Sequence, residues 1–216
     1  MKERGKFIVF EGGEGTGKST QARLLADALG QAGHGVVLTR EPGGAPGAEA
    51  LRELLVEKPP MPGWAPLSEA LLHYAARSEH LEKTIRPALA RGMSVISDRF
   101  ADSTRAYQGA GLAVGSDVLD CLSRLVIGEL TPDLTIILDL DTKQALARAA
   151  ARGAVHDRYE KMDIAFHQRV RTAFIEIARR GGERYALIDA ATDSRQVQQA
   201  VRDVVRIRLG IEIPGC

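Results

Sequence analysis

The chain has 216 residues, 44% hydrophobic and 26% charged, with 29 Lys and Arg against 28 Asp and Glu for a formal net charge of +1. This is ordinary globular composition for one domain or two small ones, and it excludes a largely disordered chain. The near-neutral balance argues against a protein devoted to coating nucleic acid. Cys121 and Cys216 are too few for a disulfide framework. No apolar run approaches the roughly 18 residues that span a bilayer, and the N-terminus leads into no secretory core. The expectation is a soluble, cytoplasmic protein with neither a membrane nor a nucleic-acid partner.

Short apolar runs bounded by Gly, Pro or charge predict strands, and the segments between them have helical spacing. In chain order, a strand at Phe7–Glu11 precedes a helix at Lys18–Leu29, and a second strand at Val36–Arg40 follows. The Pro-rich stretch from Pro59 to Pro66 reads as a surface loop anchored by Trp64. A long helix is predicted over Ser68–Ala90, then a strand at Met93–Asp98 and a helix at Asp117–Ile127. The remainder reads as strand Leu134–Leu140, helix Thr142–Arg152, helix Met162–Arg180, strand Tyr185–Asp189 and helix Ser194–Leu209. Alternating strands and helices, with strands apolar throughout, predict an α/β fold: a five-stranded parallel sheet covered on both faces. Ligands of such sheets bind beyond the carboxyl ends of the strands.

The run Gly12-Gly13-Glu14-Gly15-Thr16-Gly17-Lys18-Ser19 lies in that position. It matches G-x-x-x-x-G-K-[ST] between a strand and a helix, the context in which backbone N–H groups cradle phosphates. The loop through Thr20 is therefore the candidate nucleoside triphosphate site, which the resemblance described below makes an ATP site. Lys18 is placed at the outer phosphates, and the Ser19 hydroxyl on Mg²⁺ with Asp98 as the second metal-holding residue. GTPases read guanine through an Asn-Lys-x-Asp motif, and this chain contains no asparagine. Glu14 is unusual, because a carboxylate in a phosphate loop repels the ligand unless it serves another group. A hydroxyl of a second substrate suits it.

Further marks follow in order: Thr39-Arg40-Glu41-Pro42-Gly43-Gly44, Asp98-Arg99-Phe100, Ser103-Thr104, Ala106-Tyr107-Gln108-Gly109, and Arg152-Gly153 before Asp157-Arg158-Tyr159-Glu160. With the phosphate loop, this series resembles bacterial thymidylate kinases over roughly residues 6 to 209. The resemblance implies a single P-loop kinase domain with a short mobile lid at about 148–160. It implies transfer of the γ-phosphoryl group of ATP to dTMP, with Mg²⁺, by a homodimer. It places Glu14 at the sugar 3′-hydroxyl, Arg77 at the base, Arg40 and Arg99 at the acceptor phosphate, and Pro42, Thr104, Tyr107 and Gln108 around the nucleoside. Lid arginines reach the transferred phosphate, which makes Arg152 and Arg158 catalytic candidates beside Lys18 and Arg99. In that family the essential arginine stands either in the phosphate loop or in the lid. Gly13, Glu14, Gly15 and Thr16 include none, so the sequence looks like the lid-arginine type.

There are departures from the family pattern. The aromatic that stacks on the base is replaced by His73, with Tyr74 beside it, so either ring is a candidate. Ala150 stands where a lid arginine is frequent. Another nucleoside monophosphate kinase and a nucleotide-dependent switch are the competing readings.

Overall fold

The computed structural model describes residues 4–151 and 158–213. Its centre is a five-stranded sheet of β1 (Phe7–Glu11), β2 (Val36–Arg40), β3 (Ser94–Asp98), β4 (Leu134–Asp139) and β5 (Tyr185–Asp189). The order is β2-β3-β1-β4-β5, and every pair is parallel. Two predicted strands are one residue too long, at Met93 and Leu140.

Alternation along β1 divides the core. Ile8 and Phe10 face α1 (Lys18–Gln31) and, from the C-terminal end of the chain, the helix Ser194–Leu209, where Leu25, Leu29, Val201 and Val205 are buried. Phe7 and Val9 face the opposite layer, with Ala70, Tyr74, Leu81 and Leu119. Successive strand residues point to opposite faces, so a strand covered on both sides is apolar throughout.

The predicted helix Ser68–Ala90 begins earlier and is not uniform. After α2 (Pro46–Arg52), α3 runs Pro66–His80, a π-helical turn covers Leu81–Ile85, and α4 runs Arg86–Ala90. Pro87 has no N–H to donate, so a regular ladder cannot run through it. Trp64 Nε1 donates to Leu54 O at 3.2 Å and ties the Pro-rich loop to the turn Glu53–Glu57. The sequence gives no strong signal for α2, nor for α5 (Ala101–Thr104) and the π-helical turn Arg105–Gly111 behind it.

Among the described residues four further helices complete the fold: α6 (Ser116–Val126), α7 (Thr142–Ala151), α8 (Ile164–Arg180) and α9 (Ser194–Leu209). Asp163 and Asp193 cap α8 and α9 by accepting from first-turn amides. Of the expected lid, residues 148–151 belong to α7 and 158–160 to a 3₁₀ turn, Arg158–Lys161.

The register positions the site. Asp98 pairs with Phe10 on one side and Arg40 on the other. The ends of three adjacent strands therefore bring the phosphate loop, Asp98-Arg99 and Arg40 to one edge.

Candidate active site

The phosphate loop joins β1 to α1. Gly17, at the N-cap, offers no side-chain cap, so the first amides of α1 remain available to an anion. Gly15 has φ +73°, and a Cβ there would lie 1.9 Å from Ala145 O on α7. Only glycine meets both conditions. Lys18 Nζ donates to Gly13 O at 2.6 Å. Burial, with Arg99 nearby, pulls the Lys18 ammonium down to about 8. Thr16 is buried and donates to Gly13 O, whereas Thr20 is exposed. Ser19 Oγ donates to Asp98 Oδ2, and the buried Asp98 Oδ1 has no hydrogen-bond partner among the described residues. A hydroxyl beside an uncommitted carboxylate oxygen, next to a phosphate loop, fits Mg²⁺ completed by phosphate oxygens and water.

Arg99 follows β3 with φ +76°, a strained conformation for a residue with a side chain. Glu11 holds this turn. Its buried carboxylate accepts from Phe100 N at 2.9 Å, Ser103 N at 3.0 Å and Ser103 Oγ at 2.6 Å. Arg99 Nη1 donates to Ser103 Oγ and Gly12 O, and Nη2 to Glu14 Oε1 and the Tyr107 hydroxyl. Its guanidinium lies over the Tyr107 ring, 4.9 Å from the centroid. Burial first, then the Asp102 charge, pushes Glu11 up to about 8.

These groups open on a cleft of about 190 Å³ between the phosphate loop, the end of β2, α3 and the Arg105–Gly111 turn. Glu14, Arg40, Pro42, His73, Arg77, Thr104, Tyr107 and Gln108 all line it. Arg40, largely exposed, pairs with Glu49 at 3.1 Å. Arg77 is fully committed on one side: Nε donates to Glu41 Oε2 at 2.8 Å, and Nη2 to Phe100 O and Thr104 Oγ1, both at 3.0 Å. His80 holds the other Glu41 oxygen at 3.0 Å and reaches Thr39 Oγ1 at 2.7 Å. Arg77 Nη1 has no partner among the described residues.

Of the two candidate rings, His73 reaches the cleft. Tyr74 is packed in the core, donates to Leu119 O at 3.1 Å and supports the Arg77 guanidinium from below, with 4.8 Å to its ring. Adjacent helical residues point about 100° apart, so one of the pair had to turn inward. Tyr74 is therefore removed from the nucleotide-contacting set. Burial first, then Arg77, Arg99 and Arg158, pulls His73 down to about 3, so it is neutral at physiological pH.

The lid candidate Arg158 also differs from expectation. Arg158 is turned towards α3. It forms a 2.6 Å ion pair with Glu69 on α3 and is mostly buried. Arg148 donates to Ala190 O and Ala191 O beyond β5. Arg152 lies outside the described residues. Tyr159, which lines the cleft, and the buried carboxylates Glu11 and Glu69 were missed. Glu69, His73 and Arg77 are spaced i, i+4, i+8, a one-face pattern that signals Glu69 from sequence.

A parallel α/β sheet with a phosphate loop on its central strand, and a polar cleft against that loop, defines a P-loop kinase acting on a small acceptor. A model of the family described as thymidylate kinase matches residues 10–201. A thymidylate kinase of Caulobacter vibrioides is 54% identical over 208 residues, covering 96% of this chain and 99% of that protein. One from Bradyrhizobium sp. strain ORS 278 is 49% identical, covering 95% and 92%. The crystal structure of thymidylate kinase from Ehrlichia chaffeensis superposes with a TM-score of 0.78 at 37% identity, covering 94% of this chain and 99% of that one. The chain belongs to the thymidylate kinase family.

The Glu11 environment yields a prediction with a definite sign. Its folded pKa, about 8, exceeds its ordinary value of 4.5. Its contribution to stability is complete below about pH 4.5 and is lost as pH rises towards about 8. Glu11→Gln keeps the shape and removes the titration. Urea denaturation at about pH 5 and pH 8 should show the variant gaining stability relative to wild type at the higher pH. A pH-independent difference would mean that Glu11 does not titrate in this window.

Proposed function

We propose that the cleft carries out the reaction of the family, transferring the γ-phosphoryl group of ATP to dTMP to give dTDP and ADP. The observation that carries this reading is the juxtaposition of a phosphate loop with a cleft whose Arg77 presents one uncommitted donor. The phosphate loop and the start of α1 hold the triphosphate, with Lys18 on its outer phosphates. Ser19 and Asp98 would hold Mg²⁺, which neutralises phosphate charge when bound. A monophosphate is largely a dianion at neutral pH and is already nucleophilic. No general base is required, and positioning and positive charge remain the main tasks.

Arg99 and Arg40 receive the acceptor phosphate, replacing the carboxylates of Glu14 and Glu49 with phosphate oxygens. Glu14, released from Arg99, accepts from the sugar 3′-hydroxyl. Tyr107 sits beside both groups and closes the sugar side. His73 covers the base as a neutral ring, and Pro42 and Thr104 border the pocket. Arg158, committed to Glu69, is assigned to the acceptor wall. The transfer step therefore depends on Lys18, Arg99 and Arg152.

We place the enzyme in the cytoplasm with its nucleotides; among the described residues no helix is long and apolar enough to cross a membrane. We also propose a homodimer. α3 and α6 contact each other and expose Leu67, Leu71, Val118 and Leu125, an apolar set that a second copy would cover.

Three outcomes test this reading. A coupled ADP-release assay with Mg·ATP should give its highest kcat/KM with dTMP among dTMP, dCMP, dGMP, UMP and AMP; preference for another acceptor would discard the pocket assignment. ATP affinity, measured by calorimetry, should fall about tenfold between pH 7 and 9 as Lys18 loses its proton, and Lys18→Met should abolish that slope. In sedimentation the wild type should run as a dimer and Leu125→Glu as a monomer; a monomeric wild type would end the dimer proposal.

A further inference from the structure

Glu69 does not line the cleft, yet it binds two residues that do. Its fully buried carboxylate pairs through Oε2 with Arg158, and through Oε1 accepts from the Tyr159 hydroxyl at 2.6 Å and Gln108 Nε2 at 2.8 Å. Gln108 Nε2 also donates to the Tyr159 oxygen at 2.9 Å. The single Tyr159 proton goes to Glu69, so His73 Nε2, 3.1 Å away, donates to the same oxygen.

An ionised carboxylate only accepts hydrogen bonds. The Gln108 atom facing it must therefore be the amide nitrogen. The amide nitrogen is engaged by both Glu69 and Tyr159, which turns the carbonyl oxygen away from them. The carbonyl oxygen is the polar atom of Gln108 left for the cleft. Arg77 has the opposite restriction, with only its Nη1 donor uncommitted. The cleft thus offers one fixed acceptor and one fixed donor.

Thymine presents an N3–H donor beside an O4 acceptor. Cytosine presents an N3 acceptor beside an N4 amine, the reverse polarity. We infer that Glu69, acting through Gln108, is the positioning residue that fixes the polarity of the base-reading edge and so selects thymine over cytosine. This rests on the acceptor-site reading above. Without Glu69 the amide can turn over and offer a donor, and a mismatched hydrogen-bonding site no longer penalises cytosine. Arg158 and Tyr159 lie at the C-terminal end of the segment expected to form the lid, so that end of it holds the specificity-setting carboxylate.

Glu69→Gln preserves volume, but its amide can donate as well as accept, which frees Gln108 to rotate. The ratio of kcat/KM for dTMP to that for dCMP should fall at least about tenfold. In a Gln108→Leu background the same change should leave that ratio where Gln108→Leu alone put it, because the residue it acts through is gone. In wild type, NMR should find the Gln108 side-chain amide protons slow to exchange with solvent, a test that needs no variant. An unaltered ratio in Glu69→Gln, an equal loss for both nucleotides, additive effects in the double variant, or rapid amide exchange would each overturn the role of Glu69. A wild-type enzyme with no preference for dTMP over dCMP would instead overturn the acceptor reading itself.

Discussion

A guanidinium does not lose its proton in a protein, so an arginine taken out of water must be given an anion. The cleft obeys this three times: Arg77 with Glu41, Arg99 with Glu14, and Arg158 with Glu69. The pairs differ in what they leave available. Both Glu41 oxygens are occupied by Arg77 and His80, so Arg77 is locked with one amino group over. Glu14 stands on the phosphate loop, and under the proposed function an incoming phosphate takes its place at Arg99. Losing one member of such a buried pair typically costs about 3–5 kcal/mol, so these carboxylates hold the cleft together before any substrate enters.

The sheet supplies the frame in which those pairs form. Parallel pairing aligns the carboxyl ends of β1, β2 and β3, so the phosphate loop, Arg40 and Asp98-Arg99 emerge side by side. The Arg105–Gly111 π turn then carries Tyr107 and Gln108 across to α3. Such turns recur at functional sites because they re-aim side chains that a regular helix would point elsewhere. Thr104, Tyr107 and Gln108 here all face one cleft.

The strands and the phosphate loop were legible because their chemistry is local: apolar runs between breakers, and glycines just ahead of Lys18 and Ser19. The cleft arginines Arg40, Arg77 and Arg99 were legible through the resemblance. The partners that orient them were not. Glu11 looks like the polar end of a strand, and only tertiary contact with Phe100 and Ser103 shows that it braces the Arg99 turn. Tyr74 and His73 differ by one position, and their facing depends on how α3 is rotated against the sheet. Arg158 carries the right charge for a lid arginine; what it pairs with is decided by Glu69, almost ninety residues earlier in the chain.

The contact between Gly15 and the Ala145 carbonyl limits what the phosphate loop of this chain can hold. With α7 pressed against the loop, no side chain fits at position 15, let alone an arginine. Acquiring a loop cation at that position would first require α7 to withdraw, and withdrawing it would strip packing from the core beneath. At position 15, therefore, no single substitution supplies the loop with a cation while α7 stays where it is. A backbone carbonyl on α7, a helix that contributes no residue to the phosphate loop, thus decides what that position of the loop can carry.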